Sequence, residues 1–326
     1  MNRFFLDTGG CGFIGSAFIR MLLRSPSFTG KILNLDLLTY AARLENVSGF
    51  TQDPRYQFVQ GNICDQPLIE QFLAQGVDVV VHFAAETHVD RSISSALPFI
   101  ETNVIGTLAL LEAIRKFPHV HFHHVSTDEV YGSLGERGFF DERSPYHPNS
   151  PYSASKAASD HLVRAFAHTY NLSTTLSHCS NNYGPGQYPE KLIPLMIERI
   201  LEKKPLPVYG RGANVRDWLY VDDHVEALLA ILQFGKRGET YDIGGGAELS
   251  NLDLIFLLIE IIAKETKVPR EEYRSLIRFV EDRPGHDFRY AINPAKIQKE
   301  LGWFPRTPLH EGLFKTIKER LITSVI

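Results

Sequence analysis

Residues 8–15 read TGGCGFIG, set between a short apolar run, FFLDT (4–8), and a helical pattern from about Phe13 to Leu23. Strand, glycine loop and helix in that order open a dinucleotide-binding βαβ unit. Gly9 permits the tight turn, Gly12 lets backbone approach a pyrophosphate, and Gly15 lets helix and strand pack closely. The loop alone is a weak signal. A second strand, KILNLD (31–36), supports it by ending in Asp36 about 20 residues further on, where a carboxylate can accept the adenosine ribose hydroxyls. That charge repels a 2′-phosphate, so the expected cofactor is NAD and not NADP. One residue breaks the pattern. Asp7 lies in the first strand, where an apolar side chain is expected. A buried unpaired carboxylate costs on the order of 3 kcal/mol or more, so Asp7 should be paired or face an opening.

Outward from this unit, YQFVQGNI (56–63), VDVVVHFAA (77–85) and VHFHHVST (120–127) read as further strands, with helical patterns near 66–75, 103–117 and 153–170. Strands this apolar are buried on both faces, and their alternation with helices makes a parallel sheet. After about residue 180 the texture changes to Gly, Pro, Tyr and Arg with short helices between. The expected class is α/β: a Rossmann-type doubly wound parallel sheet with a smaller C-terminal α/β substrate-binding domain. The expected division is 1–180 and 181–326, some segments interleaving.

At 326 residues the chain can bury a substantial core. A net charge of −4 argues against nucleic acid or an anionic membrane as partner. The three cysteines, Cys11, Cys64 and Cys179, are widely spaced and odd in number, matching no disulfide framework or zinc pattern and suiting a reducing cytoplasm. LDLIFLLIEIIA (252–263) is interrupted by Asp253 and Glu260 and too short to span a bilayer, so it reads as a buried amphipathic helix. His119, His121, His123 and His124 do not make a metal site: alternation separates the outer two of one face by about 13 Å. Tyr183, Tyr188, Phe139 and Phe140 read as pocket wall or core.

PYSASKAASD (151–160) sets Tyr152 and Lys156 four apart, on one face of a helix. A nearby ammonium and a positive nicotinamide ring both favour the phenolate, so the pair makes a base for a hydroxyl group beside a hydride acceptor. STDEVYG (126–132) places Asp128 and Glu129 side by side where a buried strand ends.

TGGCGFIG, Asp36, FAAETHVDRS, STDEVYG, YSASKAASD, CSNNYGP, YPEKLIP, RDWLYVDDH and RPGHD occur in that order over nearly the whole chain. Together they resemble the extended short-chain dehydrogenase/reductases and, through the Asp-Glu pair, the branch that dehydrates dTDP-glucose at C4–C6. Sugar 4-epimerases of the same fold resemble the chain too, but usually lack the acids.

The resemblance implies a reaction sequence. Tyr152 removes the C4 hydroxyl proton as hydride passes to NAD, with Thr127 bonding that oxygen and Lys156 lowering the tyrosine pKa. Glu129 then takes the C5 proton, Asp128 protonates the departing C6 hydroxyl, and hydride returns to C6. One carboxyl must be ionised and its neighbour protonated. In a regular strand the two would point to opposite faces, so an irregular backbone is expected at 127–130.

The resemblance also implies that Phe13, Ile14, Leu38, Thr39, Asn62, Ile63, Ala84, Ala85, Thr87, Thr102 and Ser180 join Gly9, Gly12, Gly15, Asp36, Tyr152 and Lys156 around NAD. The nucleotide-diphosphate hexose would meet Thr87, Thr127, Asn182, Lys191, Leu192, Arg216, Asn251, Arg283 and His286. The two arginines have the chemistry for bidentate phosphate binding. A homodimer through the helices near 103–117 and 153–170 is implied as well.

The chain departs from the family pattern at several positions. Asn62 stands for an aspartate, Phe288 for an arginine, His178 for the arginine common before CSNN, and Cys11 for an alanine. Other readings stay open: UDP-glucose or another hexose nucleotide as substrate, a related epimerase or decarboxylase, and a non-catalytic NAD-binding regulator.

Overall fold

Phe5 and Leu6 of the first strand enter two different cores, and that division organises the molecule. The structure is a computed structural model that describes residues 2–323. The first half runs β1 (Phe4–Thr8), α1 (Phe13–Arg24), β2 (Lys31–Asp36), β3 (Tyr56–Gln60), α2 (Gln66–Leu73), β4 (Val79–His82), α3 (Val89–Ser94), α4 (Leu97–Phe99), α5 (Thr107–Ile114), β5 (His121–Thr127) and α6 (Pro151–Tyr170). It continues with β6 (Ser173–Cys179), β7 (Asn181–Tyr183), α7 (Leu192–Leu201), β8 (Leu206–Tyr209), β9 (Val215–Tyr220), α8 (Val221–Phe234), β10 (Thr240–Ile243) and β11 (Glu248–Ser250). α9 (Asn251–Thr266), α10 (Arg270–Arg274), β12 (Ile277–Val280), α11 (Ala295–Leu301) and α12 (Leu309–Thr323) complete it.

Among the described residues, seven strands pair in the order β10-β6-β5-β4-β1-β2-β3, every neighbouring pair parallel. The chain turns outward in both directions from β1, so the sheet is doubly wound and its switch point lies between β1 and β4. Phe5, Val79 and Val81 face the core formed with α1 and α8, while Leu6, Val80 and Phe122 face that of α2, α5 and α6. The segment after residue 180 adds small sheets, β7-β9-β11 and β8-β12, around a third core with α7 and α9. The same segment also sends β10 and α8 back into the large sheet and its core, so the two halves share their packing.

The strands expected at 56–63 and 77–85 end at Gln60 and His82. Residues 61–63 and 83–85 instead leave the sheet at its C-terminal edge, where a ligand crevice forms in such folds. The helix expected at 103–117 starts at Leu97 and contains a π segment, Ile100–Gly106. There the Thr107 hydroxyl donates to the Asn103 carbonyl at 2.6 Å, and the Asn103 side chain accepts the Glu86 N–H and donates to the Ser155 hydroxyl. Leu97–Ile114 is the one stretch among the described residues long and apolar enough to cross a membrane, and half of it is buried in the protein.

Asp7 is neither paired nor open to solvent. It is fully buried in the centre of the sheet, and neither carboxyl oxygen has a hydrogen-bond partner among the described residues. Burial, then the charge of Asp36, pushes its pKa well up, favouring the protonated carboxyl.

Candidate active site

The glycine loop takes its shape from close approach. Gly9 has φ +81, and a Cβ there would sit 2.7 Å from the Ala84 backbone across the switch point. A Cβ on Gly15 would meet the Gly9 carbonyl at 2.6 Å, so helix and loop touch without side chains. The loop hands over to α1 with Gly12 at the helix boundary and no acid in the first turn. The first amides of α1, including those of Phe13, Ile14 and Gly15, lie beyond reach of the helix's own carbonyls, a geometry that receives anionic groups.

Asp36 closes β2 and organises the adjacent loops. Its Oδ2 accepts the Cys11 N–H at 2.9 Å and its Oδ1 accepts the Leu38 N–H at 2.8 Å. Leu38 adopts φ 58 to make that turn. Burial raises the Asp36 pKa, and the two amides work against the rise. A carboxylate retains lone pairs beyond these two bonds, enough for ribose hydroxyls.

One cleft gathers the expected cofactor set: Gly9, Gly12, Phe13, Ile14 and Gly15; Asp36 and Thr39; Asn62 and Ile63; Ala84, Ala85, Thr87 and Thr102; and Tyr152, Lys156 and Ser180. Leu38 is the exception, lying behind the wall against the core. The Asn62 side-chain oxygen is turned back onto its own loop, accepting the Cys64 N–H at 2.9 Å.

The same cleft reaches the two pairs of acid-base residues. β5 ends at Thr127, and Asp128–Tyr131 form a 3-10 turn. Thr127 caps it, accepting the Glu129 N–H at 3.3 Å and donating to Asp128 Oδ1 at 3.4 Å. Asp128 is buried, and Glu129 is half-buried at the cleft. Burial raises both carboxyls, but their neighbours differ. Asp128 is pushed further by Glu129 and Asp217, with Arg216 opposing, while Arg283, Arg216 and Lys191 together draw Glu129 back down. Asp128 therefore keeps its proton the more firmly.

Tyr152 and Lys156 face the cleft from α6, whose start is set by Pro151 and a Ser150–Ser153 capping box. Tyr152 is within hydrogen-bonding reach of Thr127. Burial and then Glu129 push the phenol well above its ordinary value, so Lys156 does not by itself make a phenolate here. The ammonium is occupied elsewhere, donating to the Val125 carbonyl at 2.9 Å and lying 3.3 Å from His124 Nε2. Burial lowers Lys156 to about 8.

The expected substrate residues divide. Thr87, Thr127, Asn182 and Lys191 line the cleft, Lys191 donating to the Thr87 carbonyl at 2.9 Å. Arg216 and Arg283 lie near enough to act on Glu129. Arg216 is buried and spends donors on the carbonyls of Val215 (2.8 Å) and Asp287 (3.0 Å), while Arg283 lies 3.5 Å from Asp90. Leu192, Asn251 and His286 stand off the cleft wall. Leu192 packs on the third core, His286 lies 2.6 Å from Asp282, and Asn251 Oδ1 has no hydrogen-bond partner among the described residues.

A further group lines the cleft, its members lying inside motifs quoted above, except Tyr40, but with no role assigned to them beyond the reading of Tyr188 as pocket wall or core. Tyr40, Glu86, Tyr188 and Glu190 line it, with the Arg91 guanidinium 3.7 Å from the Tyr40 ring centre and 2.9 Å from Glu190. These come from three separate loops, and no spacing rule joins them. Tyr183 is core, Phe140 is buried and Phe139 exposed. His121 and His123 bridge hydroxyls of Ser173, Thr175 and Ser177 on β6, and no cluster of three metal-ligating side chains occurs among the described residues.

The sequence model of the family described as GDP-mannose 4,6 dehydratase matches residues 6–316. The dTDP-glucose 4,6-dehydratase of Neisseria gonorrhoeae is 51% identical over 327 residues, covering 96% of this chain and 94% of that protein. The dTDP-glucose 4,6-dehydratase of Streptomyces venezuelae, solved with NAD bound, superposes with a TM-score of 0.91 at 44% identity, covering 99% of this chain and 98% of that one. The Bacillus anthracis dTDP-glucose 4,6-dehydratase, solved in complex with NAD, gives a TM-score of 0.90 at 45% identity over the same shares, 99% and 98%.

Proposed function

The chain belongs to the GDP-mannose 4,6 dehydratase family and, within it, to the dTDP-glucose 4,6-dehydratases, and from that premise we propose that its cleft converts dTDP-glucose to dTDP-4-keto-6-deoxyglucose. NAD, held by the glycine loop, the start of α1 and Asp36, supplies the acceptor for the C4 hydride and the donor that returns it to C6. The protein supplies the proton transfers. Tyr152 takes the C4 hydroxyl proton, steadied by Thr127, and the new ketone acidifies C5–H. Glu129 removes that proton while Asp128 gives its own to the departing C6 hydroxyl, which leaves as water; a proton then returns to C5. Burial and the Glu129 charge oppose the Tyr152 phenolate, and a positive nicotinamide held in the cleft would favour it.

The observation that carries this reading is the inequality of the two acids. Asp128 is fully buried, with Glu129, Asp217 and Asp242 pushing it up against Arg216 alone, whereas Glu129 opens on the cleft and is drawn down by Arg283, Arg216 and Lys191 against Asp287. An epimerase needs no acid for a C6 hydroxyl, and a decarboxylase acting on a glucuronate has no C6 hydroxyl to expel. Incubation with dTDP-glucose should yield a 4-keto sugar detectable in alkali, faster than with UDP-glucose. Tight NAD binding with no keto sugar from either donor would instead leave a non-catalytic regulator.

The enzyme works in the cytoplasm as a homodimer in this proposal. The three free cysteines fit a reducing compartment. Ile105, on the 103–117 segment expected at the subunit contact, is 48% exposed, and Leu97 and Ile100, on the turns that lead into it, are 64% and 41% exposed, an apolar surface that a second copy would cover. Light scattering coupled to gel filtration tests it: twice the chain mass is expected, and a single chain mass at working concentration would overturn it.

A further inference from the structure

Behind the turn that carries Asp128 and Glu129 lies a buried charge cluster that the proton transfers leave unused. His178 on β6 stands between Asp160 of α6 and Asp242 of β10, with Nε2 3.1 Å from Asp160 Oδ2 and Nδ1 2.9 Å from Asp242 Oδ1. All three side chains are fully buried. Two tyrosines and a serine complete the group. The Tyr131 hydroxyl, at the end of the turn, donates to Asp242 Oδ1 at 2.9 Å and lies 2.9 Å from His178 Nδ1. The Tyr146 hydroxyl and the Ser126 hydroxyl each donate to Asp160 Oδ2 at 3.0 Å. The other oxygen of Asp160 lies 3.2 Å from His124 Nε2, the same atom that is 3.3 Å from Lys156 Nζ.

Burial works against a charge on His178, and the carboxylates of Asp160 and Asp242 overturn it, raising the imidazole to about 9. Such a cluster is a weak source of stability, since apolar residues of similar volume often serve as well. Its connections are more specific. A single carboxylate, Asp160, touches the partner of Lys156 on one side and the anchor of the catalytic turn on the other. A four-residue 3-10 turn has few bonds of its own, so the points that hold its ends decide where its middle residues face. Thr127 holds one end, and Tyr131 holds the other.

We propose that His178, with Asp160, Asp242 and Tyr131, is a positioning device that keeps the elimination pair Asp128–Glu129 in register with the oxidation pair Tyr152–Lys156. The inference rests on the dehydratase reading above. It assigns His178, met in the sequence only as a departure from the family pattern, to the alignment of two half-reactions.

The ratio of the half-reactions tests it. Tyr131→Phe removes one hydroxyl, leaving the ring against Phe140 and the charges paired. His178→Gln removes the cation, and His178→Arg keeps one between the carboxylates. Oxidation is read as reduction of bound NAD on mixing with dTDP-glucose, elimination as loss of the C6 hydroxyl with deuterium uptake at C5, and folding as the thermal midpoint. Tyr131→Phe and His178→Gln should leave oxidation within about twofold of wild type. Elimination should slow about 10- to 100-fold, so that reduced cofactor accumulates, and His178→Arg should restore the ratio. If His178→Gln does not fold, Tyr131→Phe decides alone. Both rates falling by one common factor, or a ratio unmoved in Tyr131→Phe or unrescued by arginine, would overturn the proposal. A wild-type protein that never reduces its NAD with dTDP-glucose would overturn the dehydratase reading itself.

Discussion

Tyr152 and Lys156 stand one turn apart on a twenty-residue helix, whereas Asp128 and Glu129 stand side by side on a 3-10 turn of four residues. The first pair inherits its geometry from a repeated ladder of local bonds, capped at Ser150. The second has almost no local support. Its placement depends on Thr127 in front, Tyr131 behind, and charges delivered from Lys191, Arg216 and Arg283. A regular element can carry two cooperating groups wherever it goes. A turn can carry two groups of unequal protonation, because its adjacent residues meet different surroundings.

The contrast predicts separable failures, which kinetics can break or sharpen. The largest effect belongs to the helix pair: Tyr152→Phe should slow reduction of bound NAD by about 10³-fold, followed by absorbance after mixing with dTDP-glucose. Rapid accumulation of reduced cofactor in that variant would remove Tyr152 as the base. Glu129→Gln should keep oxidation while C5 exchange with solvent falls by about 10²-fold. Undiminished exchange would mean that another group takes the C5 proton, and the division between helix and turn would fail.

The anchor behind the turn has its own signature in stability. His178 is held near 9, against about 6.5 for an unfolded histidine. Its contribution is therefore complete below about pH 6.5 and lost as pH rises through 9, by roughly 3 kcal/mol at most. Denaturant midpoints between pH 6 and 10 should fall for wild type and flatten in His178→Arg, whose guanidinium does not titrate there. Identical slopes would show that His178 is neutral in the fold. The smallest effect lies outside both pairs. Asp7→Val should raise stability at pH 7 by about 2 kcal/mol, because the wild type must hold a proton on a buried acid. The gain should shrink toward pH 4, where the unfolded aspartate is protonated as well; a loss of stability at pH 7 would give Asp7 a partner that its surroundings do not show.

What was legible in the sequence follows the same line between local and distant support. FFLDT and KILNLD coincide with β1 and β2, and the glycine loop and Asp36 lie where a dinucleotide unit requires them. The break after Thr127 could be anticipated, since adjacent strand residues cannot face one substrate together. The π segment at 100–106 could not, nor could the contacts of Asn103 within it to Glu86 and Ser155, which come from other parts of the chain. Nor could the bridge from Tyr131 to Asp242, or the cleft group of Tyr40, Glu86 and Glu190, whose members are joined only by the fold. Asp7 could be flagged as anomalous, but its isolation is visible only with every neighbour in place.

The central claim is that Asp128 holds its proton to higher pH than Glu129. Carboxyl-carbon NMR of protein labelled at aspartate and glutamate tests it directly, with Asp128→Asn and Glu129→Gln assigning the two signals and Asp7→Val removing the signal of the buried acid in β1. The account predicts that Glu129 ionises first as pH rises, leaving an interval in which Asp128 alone is protonated. Glu129 titrating at the higher pH, or the two titrating together, would contradict it.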